Sequence, residues 1–184
     1  MNKLRTALRE RTQPAHERLD SLFSNLDIRQ REHYARFLAA QAIALEAIEK
    51  RLDESNAQSV IPDWPERRRS DAIRLDLDAL AQPSAVADRE VDWIKDRASI
   101  LGTAYVLEGS RLGGKMLLRV VMSSPDRQVT EATRFLGHGE NQRLWPSFDA
   151  LLGSSELSEV EVDRMVESAV RTFEFFEQSA HQAL

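Results

Sequence analysis

All seven glycines of this 184-residue chain, at 102, 109, 113, 114, 137, 139 and 153, lie beyond residue 101. A chain built from β-hairpins needs turn glycines along its whole length. A glycine-free first half therefore reads as helices joined by polar linkers. Four of the seven fall between Gly102 and Gly114, inside a stretch whose apolar spacing is otherwise helical.

The apolar periodicity fills in the elements. Leu4, Leu8, Thr12, Ala15, Leu19 and Leu22 recur at steps of three and four, the stripe of a helix over about 4–23. Pro14 interrupts it and predicts either a bend or a fresh start capped by Thr12. A second helix follows Asp27 and Gln30, spaced like a capping box, and ends near 51–53. The segment 54–65 is a linker, and a third helix opens at Pro65 with proline in its first turn. From Asp88 to Val121 one long helix is predicted with glycines inside it, and Pro125 stops the pattern. Shorter helices around 128–136 and 140–152 are separated by Gly137-His138-Gly139. The last helix opens with Ser158 and Glu161 as a second capping box, and its buried face is Met165, Val166, Ala169, Phe173, Phe176 and Ala180. With no repeat, no low-complexity segment and no convincing strand, the fold class is all-α, an irregular helical bundle in a single domain over 1–184.

Composition excludes several functions. The balance of 25 Lys+Arg against 30 Asp+Glu, a net charge of −5, argues against a general nucleic-acid binder. The absence of cysteine removes disulfides, thiolate metal sites and a thiol nucleophile, and fits a reducing cytoplasm. No apolar run approaches the roughly 20 residues of a membrane span, and the first residues lack the apolar centre of a signal peptide. There is no GxGxxG, phosphate loop, HExxH or GxSxG, nor the Glu-x-x-His pairs of a carboxylate di-iron bundle.

Four features remain as candidates. Gly109 and Gly113 share one helical face, and a strip without side chains lets something large and flat approach the backbone; close helix packing or a helix break is the alternative. His16 has Arg9 seven residues back and Arg5 eleven back, each within about 20° of the same face, with Thr12 one turn away. Two cations beside a neutral imidazole make a seat for an iron macrocycle bearing carboxylates; a solvated amphipathic edge is the alternative. The run Arg67, Arg68, Arg69 beside Trp64 reads as a solvated helix face or as a dock for an acidic partner protein. His138, between two glycines, reads as a surface turn and is the next candidate for a metal ligand after His16.

Two stretches read together, LRERTQPAHERLD at 8–20 and LGTAYVLEGSRLGGKML at 101–117, resemble the bacterial heme oxygenases. A third, FLGHGENQRLWPSFDALL at 135–152, is similar to the family's glycine turn followed by spaced Trp and Phe. The resemblance covers nearly the whole chain and implies a heme sandwiched between a proximal helix and a glycine-kinked distal helix. It implies that His16 is the proximal iron ligand, on a helix that also carries the family's threonine at Thr12. Gly109 and Gly113 would let the distal backbone lie over the porphyrin, with Ser110 where the mammalian branch has aspartate. Arg9 and Tyr105 would meet the propionates, and Phe173 would line the pocket. The implied activity is oxidative opening of heme, both cofactor and substrate, to biliverdin, with release of iron and carbon monoxide. Dioxygen is the co-substrate, and an external donor such as ferredoxin or a flavin reductase supplies electrons. A glycine backbone offers no distal acid–base pair, which leaves activated oxygen to attack the porphyrin edge. A biliverdin acceptor such as a bacterial phytochrome is a further implied partner; nucleic acid and membrane are not. The alternatives are a non-catalytic heme- or bilin-binding protein of the same fold, and the thiamin-degrading branch of this fold class, which relies on a cysteine that this chain lacks.

Overall fold

The structure, a computed structural model, describes residues 2–83, 85–87 and 89–184. It contains α1 (Lys3–Phe23), α2 (Arg31–Glu54), a 3-10 turn (Ala57–Ser59), α3 (Trp64–Arg67), α4 (Ser70–Ala79), α5 (Arg97–Met122), α6 (Arg127–Glu131), α7 (Leu144–Ser154) and α8 (Glu159–Ala183), with no strand among the described residues.

Helix α1 runs unbroken through Pro14. Proline removes one amide and leaves the Glu10 carbonyl without its helical partner, but Glu10 and Pro14 are both exposed, so water serves that carbonyl. The cap expected at Thr12 sits instead at Asn2, whose side chain accepts from the Arg5 amide at 3.2 Å. Thr12 is buried, and its hydroxyl turns back to donate to the Leu8 carbonyl at 2.8 Å.

The capping box expected at Asp27 and Gln30 does not form: α2 begins at Arg31, and Gln30 makes no side-chain cap bond. Asp27 holds Arg29 through bonds of 2.8 and 3.0 Å instead. The third predicted helix is split at Arg68 and Arg69. Glu49, buried in α2, accepts from the amides of Arg69 at 2.7 Å and Ser70 at 3.0 Å. The break thus has its orphan amides capped by another helix.

Helix α5 starts eight to nine residues later than the apolar pattern suggests, at an Asp96–Ser99 capping box, because Val91 and Ile94 bury from a non-helical segment. From Arg97 it runs without interruption through Gly102, Gly109, Gly113 and Gly114. Helix α6 ends at Glu131, where the buried Asp76 carboxylate takes the amides of Arg134 at 3.1 Å and Phe135 at 2.8 Å and turns the chain. The Ser158–Glu161 box opens α8 as expected, and all six residues of its predicted face are buried.

Helix α8 packs against α1, α2 and α5, and α7 packs against α1 and α5. Gly102 makes the α5–α8 approach possible: a Cβ there would overlap the Met165 carbonyl and lie 2.8 Å from its carbon. Helices α1 and α5 are spaced by α7 and α8 rather than packed on each other. The space between them, where α8 packs on both, is the candidate cleft. No described helix is long and apolar enough to cross a membrane.

Candidate functional site

The α5 wall of the cleft is defined by what it lacks. A Cβ at Gly113 would meet nothing within 4 Å, and one at Gly109 only the Trp145 ring, at 3.8 Å. Gly114 points elsewhere, toward Leu136. Close packing therefore accounts for Gly102 and not for the strip at 109 and 113. Glycine in place of alanine in a helix costs roughly 1 kcal/mol, and the ligand-free protein shows no local return at Gly113. Leu112, Met116 and Val120 extend this side of α5 at steps of four and are 47, 71 and 38% exposed. Glycines and apolar side chains together form an unpartnered strip suited to a flat apolar ligand.

The α1 wall carries the polar groups. The His16 side chain is 57% exposed, with Nδ1 3.2 Å from Asp20 Oδ2 and its ring nearly perpendicular to that of Phe173, centres 5.5 Å apart. A carboxylate beside Nδ1 favours the tautomer protonated there, which leaves the Nε2 lone pair available. Among the described residues no three His, Asp or Glu side chains converge on a metal site. A metal at His16 must therefore bring its other ligands with it, as an iron macrocycle does.

Arg5 and Arg9 divide. Arg5 pairs with Asp149 at 3.1 Å and lies over the Trp145 ring at 5.3 Å. Arg9 is exposed and in no ion pair among the described residues. Tyr105, half-buried on α5, lies 6.0 Å from the Trp145 ring and within electrostatic reach of Arg5, Arg9 and Asp149. Burial pushes its phenol up from the ordinary value, so it remains a hydrogen-bond donor at neutral pH. The contacts link His16 to Phe173 and link Tyr105 and Gly109 to Trp145, with Arg9 within electrostatic reach of Tyr105; Gly113 shares the Gly109 face of α5, and Thr12 is buried.

The side of α5 turned away from the cleft carries a buried charge network that no single sequence motif marks. The Arg67–Arg69 run is neither a solvated face nor a docking patch, because Arg67 is 3% exposed, Arg69 5%, and only Arg68 reaches water. Arg67 pairs with Glu108 at 2.8 Å and Asp63 at 2.7 Å, and donates to the Leu144 carbonyl and Ser147 hydroxyl at the start of α7. Arg111 pairs with the same Glu108 at 3.0 Å and lies 3.1 Å from His138 Nδ1. That nitrogen therefore accepts from a guanidinium and is unavailable to a metal. Burial, with the charges of Arg111 and Arg69, holds His138 down to about 4. Ser110 donates its hydroxyl proton to the Leu107 carbonyl at 2.7 Å and accepts from Arg69 at 2.9 Å. A signal for this network was present. Glu49 falls on the stripe of Leu45, Ile48 and Leu52, and Glu108 on that of Leu101 and Ala104. Acids at core positions require buried cations, and the arginine run supplies two.

The residues present fit a heme. The cleft offers an open imidazole, an unpaired arginine, a protonated phenol and a helix face whose Cβ positions are empty. Comparison with known proteins agrees. The family model described as heme oxygenase matches residues 2–182. Heme oxygenase PigA of Pseudomonas aeruginosa is 32% identical over 171 residues, covering 90% of this chain and 85% of that protein. Two solved structures share the fold, each with a TM-score of 0.76: the NO- and CO-bound heme oxygenase from Neisseria meningitidis, 20% identical over 98% of this chain and 91% of that one, and heme oxygenase from Leptospira interrogans, 19% identical over 99% and 100%.

Proposed function

Because the chain belongs to the heme oxygenase family, and is thus a heme-degrading oxidoreductase, we propose that it binds and opens its substrate in the cleft between α1 and α5. Residues 1–184 are taken as one domain serving that site. Bound heme supplies both the iron that activates dioxygen and the macrocycle that is cut.

His16 holds the iron through Nε2, and Asp20, at Nδ1, fixes the tautomer and keeps the imidazole electron-rich. Phe173, edge-on to the ring, limits rotation of the imidazole about its bond to Cβ. Arg9 is the unpaired cation for one propionate, and Tyr105, neutral and half-buried, donates to a carboxylate at the same rim. Buried carboxylates without such partners are costly.

On the other wall Gly109 and Gly113 present backbone and nothing else, so no side-chain acid or base stands over the iron. The Ser110 proton is already given to the Leu107 carbonyl, so the hydroxyl next to Gly109 in sequence is not a free donor. A heme held there would meet no side-chain proton donor from Gly109 or Gly113, which would leave the porphyrin edge as the site of attack. The products are biliverdin, iron and carbon monoxide, with dioxygen as co-substrate. An external reductant such as ferredoxin or a flavin reductase supplies electrons, and a biliverdin acceptor such as a bacterial phytochrome fits downstream. A chain without cysteine suits the cytoplasm.

The observation that carries this reading is the empty space beyond Gly113 in a cleft whose other wall bears an open imidazole backed by a carboxylate. The test is to titrate hemin into the protein, add ascorbate or a ferredoxin system in air, and follow the absorbance for biliverdin. The wild type should show an imidazole-ligated ferric spectrum and then convert, and His16→Ala should fold but lose that spectrum. A wild-type protein that holds imidazole-ligated heme and yields no bilin would be the non-catalytic binder instead.

A further inference from the structure

The turn of α5 that carries Gly109 is gripped from behind by a residue the reaction scheme above does not use. The Leu107 carbonyl, whose helical partner is the Arg111 amide, also accepts from Ser110 Oγ at 2.7 Å and from Arg69 Nη2 at 3.0 Å. The same Nη2 lies 2.9 Å from Ser110 Oγ. One guanidinium N–H group thus engages both atoms, closing a triangle over residues 107–110.

Arg69 is built to hold that position. It stands at the break between α3 and α4, its amide fixed 2.7 Å from Glu49, its guanidinium 4.9 Å from the Phe135 ring centre, and its side chain shut from water. Burial lowers its pKa to about 10, and the charge of Arg111 acts the same way against Glu49 and Glu108; it is a full cation at neutral pH. A charged donor on a helix carbonyl competes with the helical amide and tilts the peptide. The peptide in question is two residues from Gly109.

We propose that Arg69 is a positioning residue for heme cleavage. By gripping the Leu107 carbonyl and Ser110 hydroxyl it sets the tilt of the Gly109 turn over the bound macrocycle and fixes a positive charge behind the distal backbone. It thereby governs which porphyrin edge is cut and how tightly oxygen use is coupled to bilin formation. The inference rests on the heme reading of the cleft.

The test uses Arg69→Met, Arg69→Lys and Ser110→Ala in the heme-loaded protein. Three quantities are read: the C–O stretch of the ferrous carbonyl complex, the ratio of biliverdin isomers, and oxygen consumed per bilin. Removing the cation should move the stretch upward, since less positive field reaches the bound ligand. Losing one charge-assisted bond shifts an equilibrium about tenfold, and that is the expected change in isomer ratio for Arg69→Met. Arg69→Lys keeps the charge and gives up the fork, so it should restore the stretch but not the isomer ratio. Ser110→Ala removes only the hydroxyl corner and should move the ratio in the same direction by less, a result available even if Arg69→Met folds poorly. Unchanged stretch and unchanged isomer ratio in Arg69→Met or Ser110→Ala, with imidazole-ligated heme bound at wild-type affinity, would overturn the proposal and leave the heme reading intact. Failure of the wild type to bind heme through an imidazole would instead overturn the reading beneath it.

Discussion

Replacing Gly113 by alanine should stabilise the ligand-free protein and damage the heme-loaded one. The new methyl meets nothing within 4 Å, so the empty protein carries no steric cost and regains the helix propensity lost to glycine, about 1 kcal/mol. For a chain of this length that is a rise in Tm of roughly 2–4 °C. With heme in the cleft the same methyl enters the ligand's space. An overpacking cost of about 1–3 kcal/mol then falls on the complex alone, and heme affinity drops roughly 5- to 150-fold. Thermal melts with and without hemin read both effects on one sample, because the heme-dependent gain in Tm must shrink while the apo value rises. Bilin formed per oxygen consumed should fall on the same variant. Gly102→Ala is the control of opposite sign. Its Cβ would overlap the Met165 carbonyl, so α5 and α8 must separate, at roughly 3 kcal/mol or more and a Tm loss of about 6–12 °C. The reasoning is refuted if Gly113→Ala lowers the apo Tm. It is equally refuted if the variant is stabilised and keeps wild-type heme affinity and bilin yield.

Three further outcomes are expected. Arg9→Gln should weaken heme binding more than Arg5→Gln, since Arg5 is already committed to Asp149; hemin titrations of the two variants side by side check the order. His138, held near 4 against an ordinary 6.5, binds its proton more readily in the unfolded chain. Its contribution to stability is full above pH 6.5 and is lost as pH falls toward 4. His138→Asn should therefore flatten the change in urea stability between pH 7 and pH 5 by on the order of 1 kcal/mol, discounted because the ring is half exposed. Arg67→Met should cost roughly 3 kcal/mol by leaving Glu108 buried with one cation fewer, seen as a lower Tm, whereas a docking role predicts an intact Tm and slow ferredoxin-driven turnover.

What the sequence made legible follows the strength of its apolar period. Helix α8 keeps its stripe over many turns and its buried face is as expected, and α2 runs to Glu54, close to its expected end. The start of α5 is not legible because Val91 and Ile94 have the helical spacing but bury from a non-helical segment, and burial alone does not distinguish the two. Thr12 reads as a cap when the chain is expected to restart at Pro14, and only the exposure of Glu10 shows why no restart is needed. The candidate site residues His16, Arg9, Tyr105, Gly109, Gly113 and Phe173 can be named from the sequence because each has a chemical signature or sits in a motif. The roles of Arg5, Arg67 and Arg69 depend on partners 144, 41 and 41 residues away, Asp149, Glu108 and Ser110, and no local pattern encodes those pairings.

The two faces of α5 solve one problem together. A helix that must lie against a macrocycle needs glycine on that side, and each glycine gives up about 1 kcal/mol of helical preference and the contacts that would hold the turn in place. Propensity cannot restore the loss without filling the cleft. The restoring interactions have to come from the opposite face, where Glu108, just before Gly109, and Arg111, between the two glycines in sequence, pair one turn apart. There Arg67 ties Glu108 to the first turn of α7, and Arg69 ties the Leu107 carbonyl to the α3–α4 break. Ion pairs are weak sources of net stability in a core, but they are sharply directional. That property suits a helix whose function depends on where its bare backbone is held rather than on how strongly it folds.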